Sequence, residues 1–293
     1  MSQLRAAVHV APPTTCQPGC FVEKWSPTSC TLIYDDKNAV LVDTPITVEQ
    51  NENLLAWILE TAPGRNLETI YITHGHPDHW FGIPIMLKKF PNAKVLATAG
   101  TIKHAKDDVN GPAWAHTWAA WFLDHELPQP FVFPEPLTEN KFLISNKWEC
   151  QVIEVGHSDT HDTTVLWIPD LKLVVAGDVV YGQVHQMHAI GTSPEQRAEW
   201  LAALDIVEKL KPSYVVAGHQ QAGEMHGPWT IPATRQYIKD FEKVLDQVVG
   251  RGGNAEDAYE EMMKLHGERA NPGVLKFGFG ATFAALGKQR AAL

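Results

Sequence analysis

Leu67-Glu68-Thr69-Ile70-Tyr71-Ile72-Thr73-His74-Gly75-His76-Pro77-Asp78-His79 joins an apolar run to a dense group of polar ligands. Residues 67–72 read as a buried β-strand. The six residues 74–79 then hold three histidines and one carboxylate. Neutral imidazole nitrogens and carboxylate oxygens are the donors that borderline divalent ions such as Zn²⁺ take, and a turn at a strand end can aim them at one point. Alternation lets His74 and His76 point one way while Asp78 and His79 point another. That arrangement suits two neighbouring ions better than one.

A chain of 293 residues can form one large α/β domain or two small ones, and no linker divides this one, which favours a single domain over 1–293. Strands alternate with helices and nothing repeats. Residues 31–34 and 39–42 read as paired strands around the Asp35-Asp36-Lys37-Asn38 turn, the second ending at Asp43. A helix is expected over 49–60, stopped by Pro63-Gly64, another over 79–89, and a strand over 94–97. An aromatic helical stretch spans 111–126, followed by a proline-rich loop over 128–136. Further strands are expected over 149–155, 163–168, 172–176 and 214–217. Ser193-Pro194-Glu195-Gln196 supplies an N-cap, a first-turn proline and a capping-box partner for a helix to about 210. A C-terminal helical extension over 232–293 runs to 249, breaks at 250–253 and resumes to about 265.

The formal charge of −10 and pI near 5.7 argue against nucleic acid and anionic membrane as partners, because both reward a basic surface. A small-molecule substrate is the expected partner. The opening Met1-Ser2-Gln3-Leu4-Arg5 lacks the apolar stretch of a secretory signal, and no apolar run is long enough to span a bilayer. A cytoplasmic protein is therefore expected. Cys16, Cys20, Cys30 and Cys150 are few and irregularly spaced, which favours reduced thiols over a disulfide framework or a cysteine zinc site.

Polar residues recur at the ends of the later strands as Gly156-His157, Gly177-Asp178 and Gly218-His219. The glycines allow the tight turns that a ligand cluster needs. Strand ends are also where α/β folds gather their sites. Any one of these residues alone is more often a packing residue. Three in order behind the first motif form a set.

Together with Asp43, that set resembles the five motifs of the metallo-β-lactamase superfamily: Asp43, His74-Gly75-His76-Pro77-Asp78-His79, His157, Asp178 and His219. The resemblance covers roughly residues 30–220. It implies an α/β fold, a four-layer αββα sandwich of two mixed β-sheets flanked by helices, with metals at one edge. Position by position, His74, His76 and His157 resemble the ligands of a first metal, and Asp78, His79 and His219 those of a second. Asp178 resembles the carboxylate bridging both, and Asp43 a residue that orients a ligand by hydrogen bonding. The implied cofactor is two Zn²⁺, with Fe or Mn as alternatives. Two ions bridged by a carboxylate can share a water and lower its pKa from about 15.7 to near 7, so that a metal-bridging hydroxide attacks without any serine or cysteine nucleophile. Asp78 is also a candidate proton shuttle.

Comparison within the superfamily narrows the substrate. Flavodiiron-type oxygen reductases usually carry an acidic residue where this chain has His76, and no flavin domain follows. RNA-processing members want a basic surface. Glyoxalase-II-like thioesterases share the ligand set, yet their glutathione-holding positions find no clear match around Gly218-His219-Gln220-Gln221. Acyl-homoserine-lactone lactonases carry a tyrosine three residues past the bridging aspartate, and Asp178-Val179-Val180-Tyr181 reproduces that spacing. Tyr181 is then a candidate catalytic donor to the substrate. The expectation is a dinuclear zinc hydrolase that opens a lactam or lactone of a small metabolite or xenobiotic. A glyoxalase-II-like thioesterase, a mononuclear-iron sulfur dioxygenase and a non-catalytic metal-binding scaffold are the alternatives.

Trp114, Trp118 and Trp121 fall at i, i+4 and i+7, so one helix face would carry three indoles, and Trp80 adjoins the metal motif. Such a stripe serves a core, a homodimer seam or a crevice wall. In a crevice it would suit a small cyclic or aromatic substrate. Trp80, Trp114, Trp118, Tyr181, His185 and His188 are the candidate substrate contacts, and the C-terminal helices a lid or a dimer contact.

Overall fold

Alternation along the central strands determines the layering, because successive side chains leave a strand on opposite faces. The computed structural model describes residues 3–291, so the expected domain limits at 1 and 293 lie outside the described residues. From the N-terminus, β1 (Arg5–Ala11) leads through a short ribbon, β2 (Thr14–Thr15) and β3 (Lys24–Trp25), into β4 (Thr28–Tyr34) and β5 (Asn38–Val42). Then come α1 (Val48–Thr61), β6 (Asn66–Tyr71), α2 (Ile83–Lys89), β7 (Lys94–Ala97), α3 (Ala99–Asn110), the single turn α4 (Trp118–Trp121) and β8 (Glu135–Pro136). The second half runs β9 (Lys141–Ile144), β10 (Trp148–Gly156), β11 (Thr163–Ile168), β12 (Leu173–Val175), α5 (Pro194–Lys209) and β13 (Tyr214–Val216). It closes with α6 (Thr230–Gly250), α7 (Ala255–His266) and α8 (Pro272–Ala291).

The first sheet has the order β1-β4-β5-β6-β7-β8, antiparallel up to β5 and parallel beyond it. The second has the order β13-β12-β11-β10-β9 and is antiparallel except for its β12 and β13 pair. Ile33, Val40, Val42 and Tyr71 from the first sheet meet Val152, Leu166, Leu173 and Val175 from the second. Their neighbours point the other way. Leu32, Leu41 and Ile70 pack on Leu54, Ile58 and Met86 of α1 and α2, while Val165, Val174 and Val215 pack on Trp200, Leu204 and Ile238 of α5 and α6. The result is a four-layer αββα sandwich of two mixed sheets, as the motif resemblance implies.

Several segments depart from the sequence reading. Residues 111–126 do not form one helix: 3₁₀ turns at Trp114–His116 and Asp124–Glu126 flank α4, and the chain breaks at Thr117, whose φ and ψ are −120° and −111°. Residues 77–79 form a 3₁₀ turn, and α2 begins only at Ile83. Strands β1 and β9 and helix α3 escape the reading, as does α8 within the C-terminal extension, where α6, α7 and α8 share a cluster of Tyr237, Phe241, Met262 and Phe279. No helix among the described residues is long and apolar enough to cross a membrane.

Candidate metal centre and substrate cavity

The loops that leave β6, β10, β12 and β13 deliver buried histidines and carboxylates to one edge of the sandwich. The backbone must bend sharply to do so. Gly177 takes φ +48°, and at Gly218 a Cβ would overlap the Asp178 carboxylate, so only glycine admits that approach.

Hydrogen bonds on the outer side of each ring set its orientation. Asp43, itself at φ 61°, accepts from the Thr73 N–H at 2.9 Å and from Thr73 Oγ1 at 2.7 Å, and lies 3.0 Å from His79 Nδ1. With its hydroxyl proton committed to Asp43, Thr73 Oγ1 accepts from His74 Nδ1 at 3.0 Å. His219 Nδ1 donates to the Pro27 carbonyl at 2.8 Å. In all three rings Nδ1 is held by an outward partner, so Nε2 faces inward as the atom a cation would take in place of a proton.

The inward atoms form two groups. His74, His76, Asp159 and Asp178 each place one ligand atom within 4.8 Å of the others, and Asp78, His79 and His219 do the same. Asp178 stands between them, its Oδ1 3.2 Å from His79 Nε2 and its Oδ2 3.1 Å from His219 Nε2. Asp78 Oδ2 lies 3.3 Å from His219 Nε2 and accepts the Trp25 indole N–H at 2.8 Å. Several of these buried atoms, His74 Nε2, His79 Nε2, Asp159 Oδ2 and Asp178 Oδ1, have no hydrogen-bond partner. A buried polar atom left so costs about 1–3 kcal/mol, and a divalent cation is the group that satisfies lone pairs of this kind together. The donor set fits a metal centre.

Its electrostatics favour positive charge. Burial disfavours a charged His219 ring, yet Asp178 and Asp78 beside it pull its pKa up to about 10. Burial likewise opposes charge on His76, and Asp159 outweighs it, raising the ring to about 9. Burial would raise the Asp78 carboxyl, but His79 and His219 hold it well below the usual carboxylate range.

A cavity of about 290 Å³ opens over both groups. Trp118 and Trp121 line it and pack on Trp25, with ring centroids 4.7 Å and 5.6 Å apart. Tyr181 and His185 line it as well; the Tyr181 hydroxyl donates to Asp178 Oδ2 at 2.6 Å, and burial pushes the His185 ring down to about 3, so it is neutral. Trp114 packs instead on Phe81 and Phe131. Trp80 is fully buried, its indole donating to the Gly75 carbonyl at 2.9 Å, and His188 is buried among Trp200, Tyr237 and Phe241. His157 stands outside both metal groups, with Nε2 3.4 Å from Gln196 Nε2. The start of α8 forms a wall through Val274 and Phe277, the latter stacked on Phe21 at 4.0 Å.

The residues that sequence reasoning missed are Asp159, Trp25, Phe21 and Phe277. Asp159 alone carried a local signal, a carboxylate two positions past His157 in the same strand-end loop. The aromatic walls come from segments distant in sequence and carry no ligand-like pattern.

An αββα sandwich with a two-part histidine and carboxylate centre at one edge defines a class of metal-binding proteins. The profile of the Metallo-beta-lactamase superfamily matches residues 24–219, and the chain belongs to that superfamily. It is 26% identical over 226 residues to the metallo-beta-lactamase type 2 of Bacteroides fragilis, covering 75% of this chain and 79% of that protein. Among solved structures, a metallo-beta-lactamase family protein from Thermus thermophilus superposes with a TM-score of 0.66 at 18% identity, over 97% of this chain and 94% of the other. A metallo-beta-lactamase from Pontibacter korlensis superposes at 0.55 with 19% identity, over 81% of this chain and 99% of that one.

Proposed function

We propose that this superfamily hydrolase opens the ring of a neutral lactone carrying an apolar or aromatic substituent, with two divalent metal ions held by the two groups. One observation carries the choice of substrate: among the described residues, no lysine or arginine lines the cavity, while Phe21, Trp25, Trp118, Trp121 and Phe277 do. A lactam bearing a carboxylate would set that charge beside Asp78, Asp108, Asp159 and Asp178 with no lysine or arginine among the described lining residues to pair it. An unpaired buried charge costs about 3–5 kcal/mol. A neutral ring with an apolar tail meets no such penalty.

Zinc or a similar ion supplies polarisation of an acyl oxygen and a lowered pKa for water, from about 15.7 to about 7. The chain's residues do the rest. Burial, and then the charge of Asp178, raise the Tyr181 phenol well above its ordinary value, so it remains an O–H donor at the cavity floor. Asp78, held ionised by His79 and His219 and anchored by the Trp25 indole, stays a carboxylate that can hold an ion or accept a hydrogen bond from water. The aromatic walls exclude water from the acyl chain.

The test is a hydrolysis panel of neutral lactones of increasing acyl length, lactams bearing a carboxylate, and thioesters. Each methylene buried against the walls contributes about 0.8 kcal/mol, so kcat/KM for lactones should rise about fourfold per methylene over the first few. Lactams with a carboxylate should be at least about 100-fold poorer. Preference for those lactams, or turnover of thioesters alone, would overturn the proposal.

A further inference from the structure

We propose that Asp159, and not His157, completes the first metal group, making it a subsite of two histidines and two carboxylates, His74, His76, Asp159 and Asp178. Asp159 is fully buried, and its Oδ2 lies 3.0 Å from His76 Nδ1. That contact lacks hydrogen-bond geometry, and Asp159 Oδ2 has no other hydrogen-bond partner. Two potential ligand atoms this close, with no hydrogen-bond geometry between them, are arranged as two ligands of one cation. His74 Nε2, buried and equally without a partner, belongs to the same group.

The loop explains why the carboxylate and not the imidazole turns inward. A register shift between Glu154 and Gly156 bulges β10 just before its last pair with β11, Gly156 with Thr163, and Gly156 at φ +82° redirects the chain. The Ser158 N–H then donates to the Thr160 carbonyl at 2.8 Å, closing a tight loop with Asp159 at its centre. Ser158 Oγ donates to Asp159 Oδ1 at 3.0 Å, which fixes the carboxylate and leaves Oδ2 toward His76. The same turn sends His157 toward Gln196 at the start of α5.

Replacing an imidazole by a carboxylate hardens the subsite. Oxygen donors suit Mn²⁺ and Fe²⁺ better than a three-histidine set does, so the two groups of this centre should differ in metal preference. The inference rests on reading the edge cluster as a metal centre and is independent of the lactone assignment.

Metal binding without substrate tests it. The purified full chain, stripped by chelator, is titrated separately with Zn²⁺ and Mn²⁺, and bound metal is counted by elemental analysis for wild type, Asp159→Asn, Asp159→His and His157→Ala. Asp159→Asn should lose one of two bound equivalents, weakening it beyond the roughly 10–100-fold that loss of an outer contact produces. His157→Ala should retain both. Asp159→His, which restores a ligand of the other type, should recover the Zn²⁺ equivalent and not the Mn²⁺ one, and it guards against a fold defect in the Asn variant. Loss of an equivalent in His157→Ala, or two full equivalents in Asp159→Asn, would overturn the assignment while leaving the lactone panel to stand or fall separately.

Discussion

His188 shows what one side chain does when the fold buries it without a partner. Its ring stacks on Phe241 at 4.2 Å, neither ring nitrogen is hydrogen-bonded, and burial, reinforced by Arg197, lowers its pKa to about 3. Between about pH 3 and its unfolded value of about 6.5, the unfolded chain binds a proton that the folded one does not, so this group makes stability fall as pH falls through that window. His188→Phe should flatten the loss between about pH 6.5 and 3. It should also stabilise the protein at neutral pH by about 1 kcal/mol, since two unsatisfied nitrogens disappear. Urea midpoints measured across that pH range decide it; an unchanged acid slope would refute the argument. His188 was legible in the sequence only as a histidine near a candidate site, because nothing local distinguishes a ring in a cavity wall from one stacked behind it.

Among the elements, the start of α5 was the most legible. Ser193 caps α5 with Gln196 as its reciprocal partner, as its sequence predicts. The same box, Thr47 with Gln50, starts α1: Gln50 N donates to Thr47 Oγ1 at 3.2 Å, and Thr47 N to Gln50 Oε1 at 3.1 Å. Thr47→Ala should lower stability by about 1 kcal/mol, read from a denaturant midpoint shifted without change in slope. The tryptophan stretch was the least legible. Its i, i+4, i+7 spacing predicts one helix, yet the break at Thr117 turns Trp118 and Trp121 to the cavity and leaves Trp114 on Phe81. Packing against distant partners overrides local propensity there.

Across the whole molecule, the centre ties the two sheets together. His74, His76, Asp78 and His79 follow β6 of the first sheet, while Asp159, Asp178 and His219 follow β10, β12 and β13 of the second. Three buried carboxylates repel one another there unless a cation intervenes. Binding of metal to the folded chain alone should therefore stabilise it. At a free concentration about 100-fold above Kd this amounts to about 2.7 kcal/mol, or roughly 5 °C in Tm for a protein of this size. Scanning calorimetry with chelator and then with added Zn²⁺ should show the fall and the recovery; a Tm indifferent to both would argue against a metal centre.

Strand alternation, capping residues and ligands placed at strand ends are local patterns, so the α/β class, the family and the chemical kind of the centre follow from residue order alone. Long-range packing settled the rest: which of two neighbours, His157 or Asp159, turns inward, which tryptophans face the cavity, and that α8 returns to wall it. A bulge, a positive φ and contacts between residues far apart in the chain set those directions, and none of them is written in the spacing of residue types.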